Sequence, residues 1–283
     1  MRPATGSDVP AISAFLHARI ETSMFLAGNL EAHGITGSAH RHATRFWIMT
    51  KGGSISGVFG RTHAGLLLVQ IPGMGAAAAR VCLACIAGQS VLGMTGEAGQ
   101  IRALERALVP DRRAWRTRSD QPLLRRDLGD LNDRSATIRS ATAEDEPMLR
   151  AWLARYLVET GTEPAERAED AAREVAERAT GDADLHLLIE GGRPVAMAQI
   201  IARAGRAVQV GGVFVPPDLR GQGRAGRVVG AVLGDAAARG AETAVLFAAR
   251  PAAVRSYLRI GFVPAGFYRI ALLHSPVVTA PAA

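Results

Sequence analysis

The stretch Val-Phe-Val-Pro-Pro-Asp-Leu-Arg-Gly-Gln-Gly-Arg-Ala-Gly occupies residues 213–226. Its apolar start ends at a Pro-Pro pair, three glycines follow, and a run rich in Ala, Val and Leu comes next. This order predicts a strand, a glycine-rich loop and the N-terminus of a helix. Glycines let a backbone approach a ligand closely, and the first turn of a helix presents unpaired N–H groups to an anion. The segment therefore predicts a site for a phosphate-bearing ligand.

The spacing within this segment excludes the two commonest phosphate-binding loops. A Walker loop requires a lysine directly after its second glycine, and the chain has a single lysine, Lys51. Residues 221–226 do satisfy Gly-x-Gly-x-x-Gly. A Rossmann loop, however, follows its strand directly and is paired with an acidic residue at the end of the next strand. Here residues 216–220 intervene, and Glu242 precedes the next predicted strand.

The segment resembles instead the acetyl-CoA loop of the GNAT acetyltransferase superfamily, Gln/Arg-x-x-Gly-x-Gly/Ala. That loop is matched by Arg-Gly-Gln-Gly-Arg-Ala at residues 220–225. Residues 253–263 are similar to the closing helix of the family, with Tyr257 four residues before a Gly-Phe pair. Residues 138–145 look like its opening strand and helix cap. The three landmarks stand in the family's order over residues 137–274.

The resemblance implies an α/β (α+β) fold, with a mixed, mostly antiparallel central sheet flanked by helices. It also implies that two central strands splay apart and hold the pantetheine arm of acetyl-CoA, the expected co-substrate, with no metal. Many relatives carry Asn near the position of Arg250, so an Arg there is a departure from the family pattern. The cofactor-binding residues implied are Val213, Phe214, Val215, Arg220, Gly221, Gln222, Gly223, Arg224, Ala225, Gly226 and Arg250.

Acetyl transfer to an amine needs a polarised thioester carbonyl, a neutral amine and a proton for the leaving thiolate. The resemblance assigns the last task to the hydroxyl of Tyr257, with Ser256 as a weaker substitute. The general base is not readable from the sequence. Its candidates are Glu159, Glu163 and Glu190, and Trp152 and Tyr156 are candidates to line the acceptor pocket.

The chain also repeats itself. In residues 2–10 and 139–147, Arg, Ala, Thr, Asp and Pro recur at one constant offset, and in both copies a Thr stands three residues before an Asp, which is the spacing of a capping box. We therefore expect two tandem GNAT-like domains, at residues 1–130 and 135–283, joined by a polar linker at 112–134. The first copy has only Pro-Gly-Met-Gly between strand and helix and lacks a Tyr before a Gly-Phe. It is predicted to be degenerate, and the second to be catalytic.

Composition is that of a globular protein: 283 residues, 48% hydrophobic and 21% charged. Apolar runs such as residues 66–71 are too short to span a bilayer, and no secretory signal is evident. The net charge of +7 comes almost wholly from arginines with acids between them, which argues against nucleic acid as a partner. Cys82 and Cys85 lack the partner pair of a zinc site and are expected to pack in a core. A cytoplasmic location is expected.

The function predicted from the sequence is N-acetylation: acetyl-CoA donates its acetyl group to a primary amine that attacks directly in a ternary complex. Two alternatives stay open. The loop is equally compatible with transfer of a different acyl group, or with a non-catalytic module that binds or senses acyl-CoA. The acceptor is a small-molecule or peptide amine of unspecified identity, and the sequence is also compatible with a homodimer.

Overall fold

The structure, a computed structural model, describes residues 1–35, 39–109, 111–129, 131, 136–179 and 184–280. The helices are α1 (Val9–His17), α2 (Ile20–His33), α3 (Ala76–Ala84), α4 (Ala98–Leu108), α5 (Glu146–Glu159), α6 (Ala165–Ala179), α7 (Arg224–Ala238) and α8 (Pro251–Arg259). The strands are β1 (Arg2–Pro3), β2 (Thr44–Lys51), β3 (Ser54–Thr62), β4 (Leu66–Gln70), β5 (Ser90–Glu97), β6 (Trp115–Asp127), β7 (Ile138–Ser140), β8 (Leu185–Glu190), β9 (Arg193–Ala204), β10 (Ala207–Phe214), β11 (Thr243–Phe247) and β12 (Val263–Val278). Within these ranges no helix is both long and apolar enough to cross a membrane.

The chain folds as two compact units. Unit 1 comprises residues 1–123 together with 265–283, and unit 2 comprises residues 124–264. The strands of unit 1 lie in the order β1-β2-β3-β4-β5-β12-β6, and those of unit 2 in the order β6-β11-β10-β9-β8-β7. Most of the strand pairs whose register is described are antiparallel, whereas β4 pairs with β5, and β10 with β11, in parallel. This is the mixed, mostly antiparallel sheet that the sequence predicted.

The core of unit 2 lies on both faces of its sheet because alternate strand residues point to opposite sides. Leu185 and Leu187 of β8 pack with α5 and α6, whereas the next residue, Leu188, points to the other face and packs with α7. The apolar stripe of α7, including Val229 and Val232, is completely buried. The sheet of unit 2 is therefore covered by helices on both sides.

Unit 1 is built in the same way. Helices α3 and α4 share a buried cluster with Trp47, Phe59 and Met94 of the sheet, while α1 and α2 contact β3 and β4. Cys82 lies inside that cluster and is fully buried. Burial disfavours the thiolate and raises the pKa of Cys82 to about 12, which suits a residue that packs in a core.

Two parts of the chain differ from the sequence-based expectation. Residues 115–127, expected inside a linker, form β6; residues 130 and 132–134 of that linker lie outside the described residues. The last strand, β12, lies in the segment assigned to the second domain, but it pairs with β5 of the first half, from Tyr268↔Glu97 to Val278↔Ser90. The strand pattern of β6 is concealed because its buried residues, Trp115, Gln121, Leu123 and Leu124, do not alternate regularly with its polar ones.

The repeated segment has the same local structure in both units. In unit 1, Arg2 Nη2 lies 2.7 Å from Asp8 Oδ1, and in unit 2, Arg139 Nη2 lies 2.8 Å from Asp145 Oδ1. In both, the aspartate also accepts the N–H of the Thr three residues earlier, at 2.8 Å. The hydrogen bond from Arg139 contributes most to lowering the pKa of Asp145, to about 2. The sequence repeat is thus a repeated arginine-braced capping box.

Candidate functional site

In unit 2, strands β10 and β11 run together and then part. They pair in parallel from Ala207↔Thr243 to Gln209↔Val245, and β10 continues beyond this ladder to Phe214. Each strand is followed by a helix, α7 after β10 and α8 after β11. The parting strands open at their carboxyl ends, which is where ligands bind to sheets of this kind.

A bulge in β10 lies at the same place. The register with β9 shifts between the pairs Gly211↔Gln199 and Phe214↔Met197, so Gly212 and Val213 lie outside the ladder. Gly212 has φ +58°, a conformation that L residues rarely adopt. A bulge of this kind turns peptide groups away from the neighbouring strand and makes them accessible to a ligand.

The start of α7 is shaped by Gly223. This residue is the N-cap of α7, with φ +73°, and an added Cβ would meet no atom within 4 Å. Glycine is needed there for its backbone conformation and not for lack of space. Gly226 has the opposite role, since its Cβ would lie 3.3 Å from Ser256 Oγ on α8. The two glycines leave the first turn of α7 open to an anion and hold α7 close to α8.

Arg224 braces the loop that precedes α7. Its Nε and Nη2 donate to Glu190 Oε2, at 2.8 and 2.6 Å, and its Nη1 donates to the carbonyl of Leu219 at 2.8 Å. Arg227 also pairs with Glu190. The hydrogen bond from Arg224 is the largest cause of the lowered pKa of Glu190. Glu190, a candidate base, is therefore held as a carboxylate with little tendency to take a proton.

Glu159, at the end of α5, has two other arginines beside it. Arg220 Nη2 donates to both carboxylate oxygens of Glu159, at 3.0 and 2.8 Å, and Arg250 Nη2 lies 3.0 Å from Oε2. Arg220 also donates through Nε to the carbonyl of Val215 at 2.8 Å. Arg220 and Arg250, which the family resemblance assigns to cofactor binding, therefore both pair with Glu159.

Tyr156 of α5 contacts the bulge at Gly212, and Tyr257 of α8 lies near Tyr156. Tyr257 of α8 is 5% exposed, and burial raises its pKa, with a smaller effect from Tyr156 of α5. Burial also raises the pKa of Tyr156, although the backbone N–H of Gly212 donates to its hydroxyl and opposes the effect. Both phenols therefore keep their protons at neutral pH, so each is available as a hydrogen-bond donor.

The apolar residues that the sequence predicted for the site are packed in or beside the core of unit 2. Phe214 is buried and its ring lies 5.9 Å from that of Trp152, so Trp152 packs in the core. Val213 is half-buried and lies in the bulge. Val215 is buried and directly follows the last residue of β10. Sequence reasoning named Tyr156 and Glu159 but missed the contact of Tyr156 with Gly212 and that of Glu159 with the arginines. Such contacts join residues that are far apart in sequence, and no local signal reveals them.

Comparison with known proteins identifies the same region. Residues 157–269 match the family model described as an acetyltransferase (GNAT) domain. No curated protein matches the chain in sequence. The fold resembles that of a Drosophila protein (TM-score 0.62, 15% identity, covering 96% of this chain and 98% of that one).

Two bacterial structures are similar in the same way. The GCN5-related N-acetyltransferase from Kribbella flavida gives a TM-score of 0.55 at 20% identity, covering 91% of this chain and 95% of that one. The GCN5-related N-acetyltransferase from Sphaerobacter thermophilus gives 0.50 at 18% identity, covering 100% and 96%. At these sequence identities the similarity shows a shared fold alone.

Proposed function

We propose that the chain transfers an acetyl group from acetyl-CoA to a primary amine, and the match of residues 157–269 to the acetyltransferase (GNAT) domain model supports this. The parting of β10 from β11, together with the bulge at Gly212, is the observation that carries the proposal. It leaves the peptide groups of Gly212 and Val213 outside the ladder between β10 and β9. An extended amide-bearing arm fits along such a strand, and a pyrophosphate fits at such a helix start.

In the proposed complex, the carbonyl of Gly212 and the peptide groups of Val213, which lie outside the ladder with β9, pair with the pantetheine arm, while the N–H of Gly212 stays with Tyr156. The N–H groups of residues 221–226 hold the pyrophosphate, with the α7 dipole adding to the attraction. Arg224 holds the loop in position through Leu219 and Glu190, so its contribution is geometric. Arg220 and Arg250 exchange part of their contact with Glu159 for the phosphates, which form stronger bidentate pairs with guanidinium groups.

The reaction follows from these positions. The neutral amine attacks the thioester carbon, a C–N bond forms, and the C–S bond breaks. The carbonyl oxygen is stabilised by a backbone N–H of the bulge. The hydroxyl of Tyr257 donates its proton to the leaving sulfur and regains one from the amine nitrogen through solvent. Because burial keeps this phenol protonated, it is suited to the role of acid.

We further propose that the two halves, residues 1–130 and 135–283, derive from two GNAT-like domains, although the last strand now belongs to unit 1, and that only the second half binds acetyl-CoA. The repeated capping box and the repeated order of elements support a common origin. The short connection from β4 to α3, residues 71–75, supports loss of the cofactor site in the first half.

Titration calorimetry of the full chain with acetyl-CoA tests the proposal. We expect one site per chain, followed by amine-dependent release of free thiol when candidate amines are added. No heat with acetyl-CoA would contradict the proposal. Binding without thiol release from any amine class would favour the acyl-CoA-sensing alternative, and release with longer acyl-CoA in preference to acetyl-CoA would favour a different acyl donor.

A further inference from the structure

A second concave site lies in unit 1 and shares no residue with the loop described above. It is a cleft of about 330 Å³ at the C-terminal end of α4. Its walls are Arg102, Glu105, Arg106, Val109, Arg112 and Arg118. A volume of this size falls at the lower end of the range found for small-molecule sites. Four arginines in a lining of six residues make the cleft strongly cationic.

The floor of the cleft is a closed ionic network. Glu105, 1% exposed, accepts hydrogen bonds from Nε and Nη2 of Arg118, at 3.0 and 2.9 Å. It also accepts one from Nη2 of Arg269 at 3.0 Å. Asp120 pairs with Arg102, and with Nη1 of Arg269 at 2.6 Å. Burial alone would raise the pKa of Asp120, but the hydrogen bonds from Arg269 and Arg102 outweigh it and lower that pKa. Asp120 is therefore held as a carboxylate, and both acids have arginine partners for their oxygens.

Arg106 and Arg112 are not part of that network. Both are exposed, and neither has an acidic partner among the described residues. Asp111, next to Arg112 in sequence, accepts the backbone N–H of Arg113 at 2.9 Å. Arg106 lies in the last turn of α4, where the helix dipole offsets only about half a charge. The five arginines of the cleft and its floor thus face two carboxylates, which leaves an excess of three positive charges.

We propose that this cleft binds a small polyanion, held through its phosphate or carboxylate groups by Arg106 and Arg112. A guanidinium group binds either oxyanion with two parallel hydrogen bonds. The floor network fixes Arg102 and Arg118 in the walls, so that the cleft keeps its charge and shape before the ligand arrives. A concave surface with charge of one sign concentrates ligands of the opposite sign. The site is independent of acetyl transfer, and it uses no residue of the proposed cofactor loop.

The test is calorimetry on the full chain with two probes, pyrophosphate and citrate, at constant ionic strength. The variant Arg106→Gln/Arg112→Gln removes the two unpaired cations. The control, Arg80→Gln/Arg193→Gln, removes the same charge from exposed positions outside the cleft. We expect saturable binding, weakened at least tenfold in the first variant and less than twofold in the control. The probe that binds more tightly identifies the ligand as a phosphate or a polycarboxylate.

Equal weakening in both variants would show attraction by net charge alone and would overturn the proposal, as would the absence of saturable binding. The thermal midpoint gives a second readout, since a ligand that binds only the folded chain raises it. We expect each probe to raise the midpoint of the wild type and of the control, but not that of the cleft variant. A single Arg112→Gln variant should show an intermediate loss, which guards against misfolding of the double variant.

Discussion

The connection from β4 to α3 in unit 1 and that from β10 to α7 in unit 2 occupy equivalent places in the order of elements, yet they differ in every feature that a ligand needs. Strand β4 pairs with β5 from Leu66↔Gly93 to Val69↔Gly96, almost along its full length. Its ladder with β3 has no shift of register. Strand β10 leaves β11 after Gln209 and carries a bulge.

The end of β4 is also occupied by the protein itself. The N–H of Ile71 donates to Oε1 of Gln100, a buried side chain of α4, at 2.6 Å. In unit 2 the residues around the end of β10 are instead a positive-φ glycine and the hydroxyl of Tyr156. A regular, well-paired strand end leaves nothing for a ligand to bind. The proposed site of unit 2 consists of local departures from that regularity.

Matched glycine substitutions in the two connections should give the largest difference, which is a difference in acetyl-CoA affinity. Gly223 (φ +73°) and Gly73 (φ +70°) both have positive φ and no atom within 4 Å of an added Cβ. Replacing either with Glu imposes a similar backbone strain, of about 1–2 kcal/mol. Gly223→Glu also places a carboxylate at the proposed pyrophosphate position. Calorimetry should show at least a 100-fold loss of acetyl-CoA affinity for Gly223→Glu and less than twofold for Gly73→Glu. Equal losses would mean that both connections bind, or that neither does.

Removing single hydroxyls gives the next largest effect. Tyr257→Phe should lower kcat by about 100-fold or more, as expected for loss of a general acid, while acetyl-CoA affinity changes less than threefold. Tyr268→Phe is the control, because Tyr268 in unit 1 is also buried and its pKa is also raised by burial. Steady-state kinetics with an accepted amine measures both variants. An unchanged kcat for Tyr257→Phe would remove this residue from the mechanism.

Glu159→Gln should have a smaller effect on the affinity for acetyl-CoA. The substitution releases Arg220 and Arg250 from an internal anion that competes with the cofactor phosphates. We expect acetyl-CoA to bind about three- to tenfold more tightly, a change of up to about 1.4 kcal/mol. Glu163→Gln, which removes a charge four residues further along the chain, should have no such effect. Weaker binding in Glu159→Gln would show that Glu159 positions the arginines and does not compete for them.

The smallest effect concerns the free energy of unfolding and comes from the capping boxes, which are present in both units. Because the folded-state pKa of Asp145 is lowered to about 2, its ion pair stabilises the fold above the unfolded pKa, near 3.8, and this stabilisation is lost as the pH falls to about 2. Arg139→Ala should therefore lower the free energy of unfolding by about 1 kcal/mol at pH 7, since Arg139 is partly exposed. Urea unfolding at a series of pH values should show the difference disappear toward pH 2. A difference that is constant with pH would assign the effect to packing.

Local signals in the sequence account for most of unit 2. The succession from β10 to α7 follows from an apolar run, a Pro-Pro pair and glycines, and the structure has a strand that ends at Phe214 and a helix that begins at Arg224. The capping boxes at Asp8 and Asp145 were also readable, because their contacts span only a few residues. Contacts of short range in sequence leave a pattern that can be recognised.

Long-range contacts left no such pattern. The pairing of β12 with β5 joins residues about 180 positions apart, and apolar alternation does not specify a partner. The ion pairs of Arg220 with Glu159 and of Arg224 with Glu190 were likewise hidden, since any arginine in so basic a chain is compatible with many acids. Sequence reasoning therefore identified the loop of the proposed site but not the contacts that hold its arginines.

The pairing of β12 with β5 also bears on how the protein is made. A ribosome releases the chain from its N-terminus, so β5 emerges long before the residues that cover its open edge. Throughout synthesis of unit 2, the nascent first half presents unpaired backbone groups of the kind that promote aggregation. Fragments that end near residue 130 would carry this defect permanently. The sheet of the first half is therefore completed only after the chain has been translated through residue 278.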